Sequence, residues 1–267
     1  MKLRRVLALC LIVVLTIGCL ASCSEPTAEE LITKADQALK DAPYSVTVDM
    51  TLSGDENDEI ASQVISMMDG IDMSFAVDGD DIKMSYGMEM DYGAFSMSMD
   101  MSMIAIGDTM YIATTQSYDG EEETMKMKAT VTDEQRDELL SQTGGSATEM
   151  TAADFETVTM EKGDGVYLIK CTDLKEESAD KLNGMFAGAM GGAGSVAASN
   201  AEIVFEVKDG KYQKATITCD YSIDVGDDTT VTIAASIVMT FNYEGVDVTA
   251  PSDAADYEEI DIGDMLG

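Results

Sequence analysis

The 267-residue sequence contains no histidine and no tryptophan. Without histidine it lacks the commonest general base at neutral pH and the commonest metal ligand. Positive charge is scarce too: 16 lysines and arginines face 51 acidic side chains, a net charge of −35. A surface of that sign repels nucleic acid and anionic headgroups, so no nucleic-acid partner is expected. The familiar loops of site chemistry are also missing. Asp55-Glu56-Asn57-Asp58-Glu59 has alternating acids but neither the glycine nor the distal glutamate of a calcium loop. Gly191 to Gly194 is followed by no Lys-Ser/Thr pair, and no Gly-x-Ser-x-Gly elbow occurs. The chain therefore reads as non-enzymatic, with no catalytic residue, cofactor or metal site expected.

What is present begins at the N-terminus. Lys2, Arg4 and Arg5 precede an uncharged apolar run, Val6 to Leu20. About 15 residues is too short to span a bilayer, which takes ~20, and suits the apolar core of a signal peptide. Leu20-Ala21-Ser22-Cys23 follows and resembles the bacterial lipobox, an aliphatic residue and two small ones before a cysteine. Thr16-Ile17-Gly18-Cys19 is a poorer match because Ile17 is bulky. The resemblance implies cleavage before Cys23, acylation of its thiol, and a lipid anchor on the extracytoplasmic face of the cell membrane. The alternative is an ordinary secretory signal with a chance cysteine. Without residues 1–22, 13 basic residues face 51 acidic ones, a balance of −38.

The expected organisation is a signal peptide (1–22), a lipidated tether (23–26), one β-rich domain (27–246) and an irregular acidic tail (247–267). Thr27-Ala28-Glu29-Glu30 reads as a capping box opening a helix that Pro43 ends. Period-two alternation then predicts strands from Tyr44 onward, joined by acidic and glycine turns. Ile60–Met68 reads as a helix or as more strand. A second capping box, Thr132-Asp133-Glu134-Gln135, opens a short helix to about Leu140. Leu174–Met190 reads as another helix, and Gly191–Asn200 as a flexible linker of small residues. The final strands, Ala215–Val225 and Thr229–Tyr243, are long enough to suit a curved sheet. A meander with one apolar face must close on itself or be covered by helices.

Lipobox, tether, N-terminal helix, long meander and inserted helices together resemble the LolA/LppX-like lipoproteins and lipoprotein carriers. Phrases such as Val207-Lys208-Asp209-Gly210-Lys211-Tyr212 look like uncharacterised lipoproteins of Gram-positive anaerobes. The first resemblance implies an α+β fold, a curved antiparallel half-barrel covered by helices, that shelters acyl chains. Beyond the lipobox, it carries no residue motif.

Eleven methionines fall in one expected sheet: Met73, Met84, Met88, Met90, Met97, Met99, Met101, Met103, Met110, Met125 and Met127. Most share the apolar parity. An apolar stripe at strand spacing fits a packed core. Flexible thioethers also fit a plastic ligand lining, and soft sulfur can hold Cu(I). The lining residues would be Met73, Phe75, Met84, Met88, Met97, Met99, Met101 and Met103. The helices at Thr27–Ala42 and Leu174–Met190 are the expected covers. Cys171 and Cys219 share parity with core residues. A disulfide across their 49-residue loop would contribute about 4 kcal/mol, and two free buried thiols are the alternative. The leading expectation is an anchored lipoprotein that binds a hydrophobic or lipid ligand. The other is a non-enzymatic envelope scaffold or interaction protein with a fully packed core.

Overall fold

The computed structural model describes residues 25–55, 58–68, 70–91, 96–118, 120–132, 135, 152–179, 182–183, 195–226 and 229–261. Helix α1 (Ala28–Asp41) opens the described chain. Thr27 Oγ1 accepts the Glu30 N–H at 3.2 Å, while the Glu30 carboxylate accepts the Thr27 N–H at 2.9 Å. These two bonds satisfy donors that a helix start leaves without partners.

Eleven long strands then form one sheet: β1 (Tyr44–Gly54), β2 (Ile71–Asp78), β3 (Asp81–Asp91), β4 (Ser96–Ile106), β5 (Thr109–Tyr118), β6 (Glu121–Thr130), β7 (Phe155–Gly163), β8 (Val166–Leu174), β9 (Ser195–Lys208), β10 (Lys211–Gly226) and β11 (Thr229–Asn242). Helix α2 (Glu59–Met68) separates β1 from β2. A two-residue strand, β12 (Glu258–Glu259), ends the order β12-β6-β5-β4-β3-β2-β1-β11-β10-β9-β8-β7. All pairings are antiparallel except β12 with β6. Consecutive strands join by tight hairpins wherever the turn chemistry allows. Asp164-Gly165 and Asp209-Gly210 both take positive φ at both residues, the geometry that matches strand twist in a two-residue hairpin. The non-local step is β1 against β11, with Val46 opposite Phe241 and Met50 opposite Ile237. It joins the two meanders into one open sheet.

The β8–β11 side carries the larger core. Ile169, Cys171, Ile203, Val207, Ile217, Tyr221, Ile223 and Ile233 are fully or almost fully buried on one face. Leu31, Ile32 and Ala35 of α1 pack onto it, and Asp36 accepts a 2.7 Å hydrogen bond from the Tyr212 hydroxyl. α1 lies against β10, β9 and β7, and α2 against β1, β11 and β3.

Three sequence expectations change. Leu174 ends β8 rather than starting a helix. The next residue is held by 153–154: Lys175 N–H bonds Asp154 O at 2.9 Å, and its Nζ bonds Ala153 O at 2.6 Å. Glu176–Ser178 is a 3-10 turn, Leu182 and Asn183 are helical as expected, and residues 180–181 and 184–190 of the expected helix lie outside the described residues. Ser195–Asn200, expected as linker, is the first part of β9, where Ala198 sits opposite the buried Tyr221 ring. A small residue there makes room for a large neighbour. The tail is also structured: Val248 and Tyr257 are buried, and β12 docks on β6. The second capping box forms as expected: Gln135 N–H donates to Thr132 Oγ1 at 3.2 Å, and Thr132 N–H donates to Gln135 Oε1 at 3.0 Å. The rest of that helix, and the polar, glycine-rich stretch Gln142–Thr148 that reads as a loop from sequence, lie outside the described residues.

Candidate functional site

Register converts the methionine stripe into rows that cross the sheet. The first row is Phe75–Met84–Met103–Ile112–Met127, each residue opposite the next on the neighbouring strand. It is nearly sealed: Met84 is 9% exposed and Met103 6%, and Met110 nearby is fully buried between Ala105 and Ala129. Met84, Met103, Met110 and Ile112 belong to a core cluster separate from the β8–β11 core, with Met127 packed against it. The second row is Met73–Tyr86–Met101–Thr114–Met125, the third Ile71–Met88–Met99–Gln116–Glu123. Met97 lies opposite Met90 in the fourth. Met73, Met88, Met97, Met99 and Met101 are half-buried, and Met125 is 52% exposed. The Tyr86 hydroxyl lies 3.6 Å from Met88 Sδ, and burial raises the Tyr86 phenol above the ordinary tyrosine range.

All eight expected lining residues therefore share one face, but not one environment. Phe75 joins the packing around the larger core. Met84 and Met103 are core side chains, while the other five methionines lead to an increasingly open surface. The expected cover by α1 is not found, because α1 sits on the opposite half of the sheet. The strand order is responsible: pairing β1 with β11 leaves the N-terminal helix over β9 and β10, away from β3–β5.

A groove of about 550 Å³ crosses β1–β5. Most of its lining has the other parity: Thr47, Asp49, Asp72, Ser74, Ser85, Gly87, Asp100, Ser102, Ala113 and Thr115. Val48, Met73, Tyr86 and Met101 also border it. It is not the continuous apolar cavity expected behind the methionines. Asp49, Asp72, Gly87, Asp100 and Thr115 form one cross-strand row. A Cβ on Gly87 would meet Asp100 Oδ1 at 3.2 Å, so the missing side chain leaves room for that carboxylate. Sequence reading missed this row. The three aspartates are far apart in sequence, and only strand register aligns them. Among the described residues, no cluster of three or more His, Cys, Asp or Glu side chains is placed to hold a metal ion.

Cys171 and Cys219 are both buried free thiols, so the bridge weighed from sequence is not made. Cys171 sits opposite Ile203, which sits opposite Ile217, two residues from Cys219. One whole strand thus separates them. Two strand spacings of roughly 4.8 Å already exceed the ~7 Å α-carbon limit for a disulfide. Burial pushes the Cys171 thiol up to about 11 and raises that of Cys219. Cys23 lies outside the described residues. Glu25, two residues later, comes within 4.0 Å of Lys162 Nζ on β7, so the tether leaves beside the β7–β8 hairpin. No described helix is long and apolar enough to cross a membrane.

No protein-family model matches the chain, and no curated protein matches its sequence. Among solved structures, a β-barrel-like protein of domain of unknown function DUF1849 from Brucella abortus is 11% identical. That match covers 75% of this chain and 98% of that one, with a TM-score of 0.25. The tesB protein of Mycobacterium avium subspecies paratuberculosis is 9% identical over 79% of this chain and 83% of that one, with a TM-score of 0.16. At those values neither likeness assigns a fold or an activity.

Proposed function

We propose that this chain is an extracytoplasmic lipoprotein, anchored through Cys23, whose methionine-rich half-sheet receives a hydrophobic or lipid ligand. One observation carries the reading: methionine is concentrated where packing is incomplete. The β8–β11 core is built largely from Ile, Val and Tyr and is closed, whereas β2–β4 carry thioethers in rows that run from the sealed Met84 and Met103 to the half-buried Met73, Met88, Met97, Met99 and Met101. Stiff β-branched side chains suit a fixed jigsaw; flexible, polarizable ones suit a surface that must fit more than one shape. In this reading the long antiparallel sheet is a half-barrel of the LolA/LppX-like kind, and the ligand lies on Met73, Met88, Met97, Met99 and Met101. The chain acts by binding and sheltering, without catalysis.

Mass spectrometry of material extracted from protein purified without detergent tests the ligand. Co-purifying lipid in stoichiometric amount is expected, and an empty extract together with no uptake of a fluorescent fatty acid refutes the reading. Cys23→Ala tests the anchor: the variant should leave the membrane fraction or stay unprocessed, and unchanged retention and mass would sink it. A packed-core scaffold is the second reading, favoured by the fully closed β8–β11 half.

A further inference from the structure

The sheet is open, so it has two edges, and the two are built differently. At β6 the C-terminal segment covers the lower half: Ile260 N–H bonds Lys128 O at 2.9 Å, and Lys126 pairs with Asp253 at 2.6 Å. The upper half begins with three successive glutamates, Glu121–Glu123, which repel an acidic partner. At the other end, among the described residues, nothing pairs with the outer side of β7. Its centre is uncharged, and Val158 is 39% exposed. An exposed strand edge of this kind is a template for another strand.

We propose that β7 is a dimerisation edge that pairs antiparallel with β7 of a second copy, independently of any ligand on the methionine rows. Charge selects the register. A two-fold axis normal to the sheet pairs residues of the same parity. Centred on Thr159, the midpoint of Phe155–Gly163, the pairing overlaps all nine residues. That same register places Glu156 opposite the partner copy's lysine at 162 and Lys162 opposite its glutamate at 156, so two opposite-charge pairs form on one face. Val158 and Met160 then meet across the axis and extend the apolar face. Shifting the centre to Glu161 sets like charges opposite each other. β7 and β6 each carry a net charge of −1, but the glutamates of β6 are consecutive, whereas Glu156 and Glu161 of β7 are five residues apart and Lys162 is available to face Glu156. Because the contact is two-fold, and the β6 edge is half covered and elsewhere acidic, it closes as a dimer instead of growing into a fibre. The axis also puts both α1 helices on one side of the sheet, which is compatible with two tethers entering one membrane.

Cysteine cross-linking on the full chain tests both contact and register. Directly opposite residues in an antiparallel pair have α-carbons ~4.5–5.5 Å apart, within disulfide reach. Thr159 is exposed, so Thr159→Cys should leave the fold intact. Under mild oxidation it should give mostly covalent dimer on a non-reducing gel, against none for the wild type. Thr157→Cys alone should cross-link at least tenfold less, while co-expressed Thr157→Cys and Glu161→Cys chains should link to each other. A Thr159→Cys chain that stays monomeric, or a Thr157→Cys chain that self-links equally well, overturns the proposal. So does a wild-type chain that sediments as a monomer at micromolar concentration.

Discussion

Replacing both Met99 and Met101 by aspartate separates a binding surface from a packed core. Met110 is the internal standard. It is fully buried between Ala105 and Ala129, so Met110→Ala removes buried atoms and leaves a void. Such truncations cost about 2–5 kcal/mol. For a domain of roughly 220 residues, each kcal/mol lowers Tm by about 2–4 °C, so a fall of about 4–20 °C is expected. Met99 and Met101 are half-buried, and their β5 neighbours are Gln116 and Thr114. Carboxylates at these positions can reach water and polar groups, so the double variant should lose only about 1–2 kcal/mol, within the ordinary range for substitutions outside a sealed core. A hydrophobic ligand laid over them must desolvate two unpaired charges, which costs far more. Uptake of a fluorescent fatty acid should therefore fall at least tenfold while Tm stays within a few degrees of wild type. Calorimetry and the uptake assay are run on the same preparations. A double variant that melts as early as Met110→Ala shows that these rows are sealed core, and one that folds and binds undiminished refutes the ligand surface.

Three further outcomes follow from buried and paired groups. Burial raises the Tyr212 and Tyr221 phenols above their ordinary value, Tyr212 further through its bond to Asp36, and pushes Tyr243 up to about 12. Their neutral forms are favoured on folding, so this stabilisation is complete below the ordinary phenol value of 10.0 and is lost as pH rises through the folded values. Ultraviolet titration should show a late tyrosine fraction ionising together with loss of near-ultraviolet dichroism; tyrosines that all titrate near 10 in a folded chain contradict it. Asp253→Asn removes the ion pair with Lys126, whose ammonium donates a hydrogen bond that lowers the Asp253 carboxyl, so the contact is fully formed above the usual carboxylate range and weakens as pH falls through the lowered value. Faster amide exchange at Ile260 in the variant is expected, and unchanged protection shows that other contacts hold the segment. Cys171 and Cys219 should resist a thiol reagent in native buffer and react after denaturation without prior reduction; a mass gain of two protons on reduction would instead reveal a bridge.

Much of the fold was legible because strands of period two, capping residues and Asp-Gly turns are local signals. Thr27 and Glu30 lie three residues apart, and Asp209-Gly210 carries its turn conformation in its own backbone. Alternation also placed Met84, Met99, Met101 and Met103 on one face before any neighbour was known. Residues 195–200 were misread for the converse reason. A run of small residues is a linker in isolation and a packing partner beside Tyr221, and nothing within the run says which.

Everything that depends on which strand lies beside which was decided by the tertiary structure. Joining β1 to β11 placed α1 on β9 and β10, away from the methionines, and pairing β9 with both β8 and β10 put a whole strand between Cys171 and Cys219. Register brought Asp49, Asp72 and Asp100 into one row and graded the methionines from sealed to open. Parity along a strand is a property of the chain, because successive side chains must alternate. The neighbour across the sheet is a property of the fold, because hydrogen-bond pairing joins residues that the chain keeps far apart.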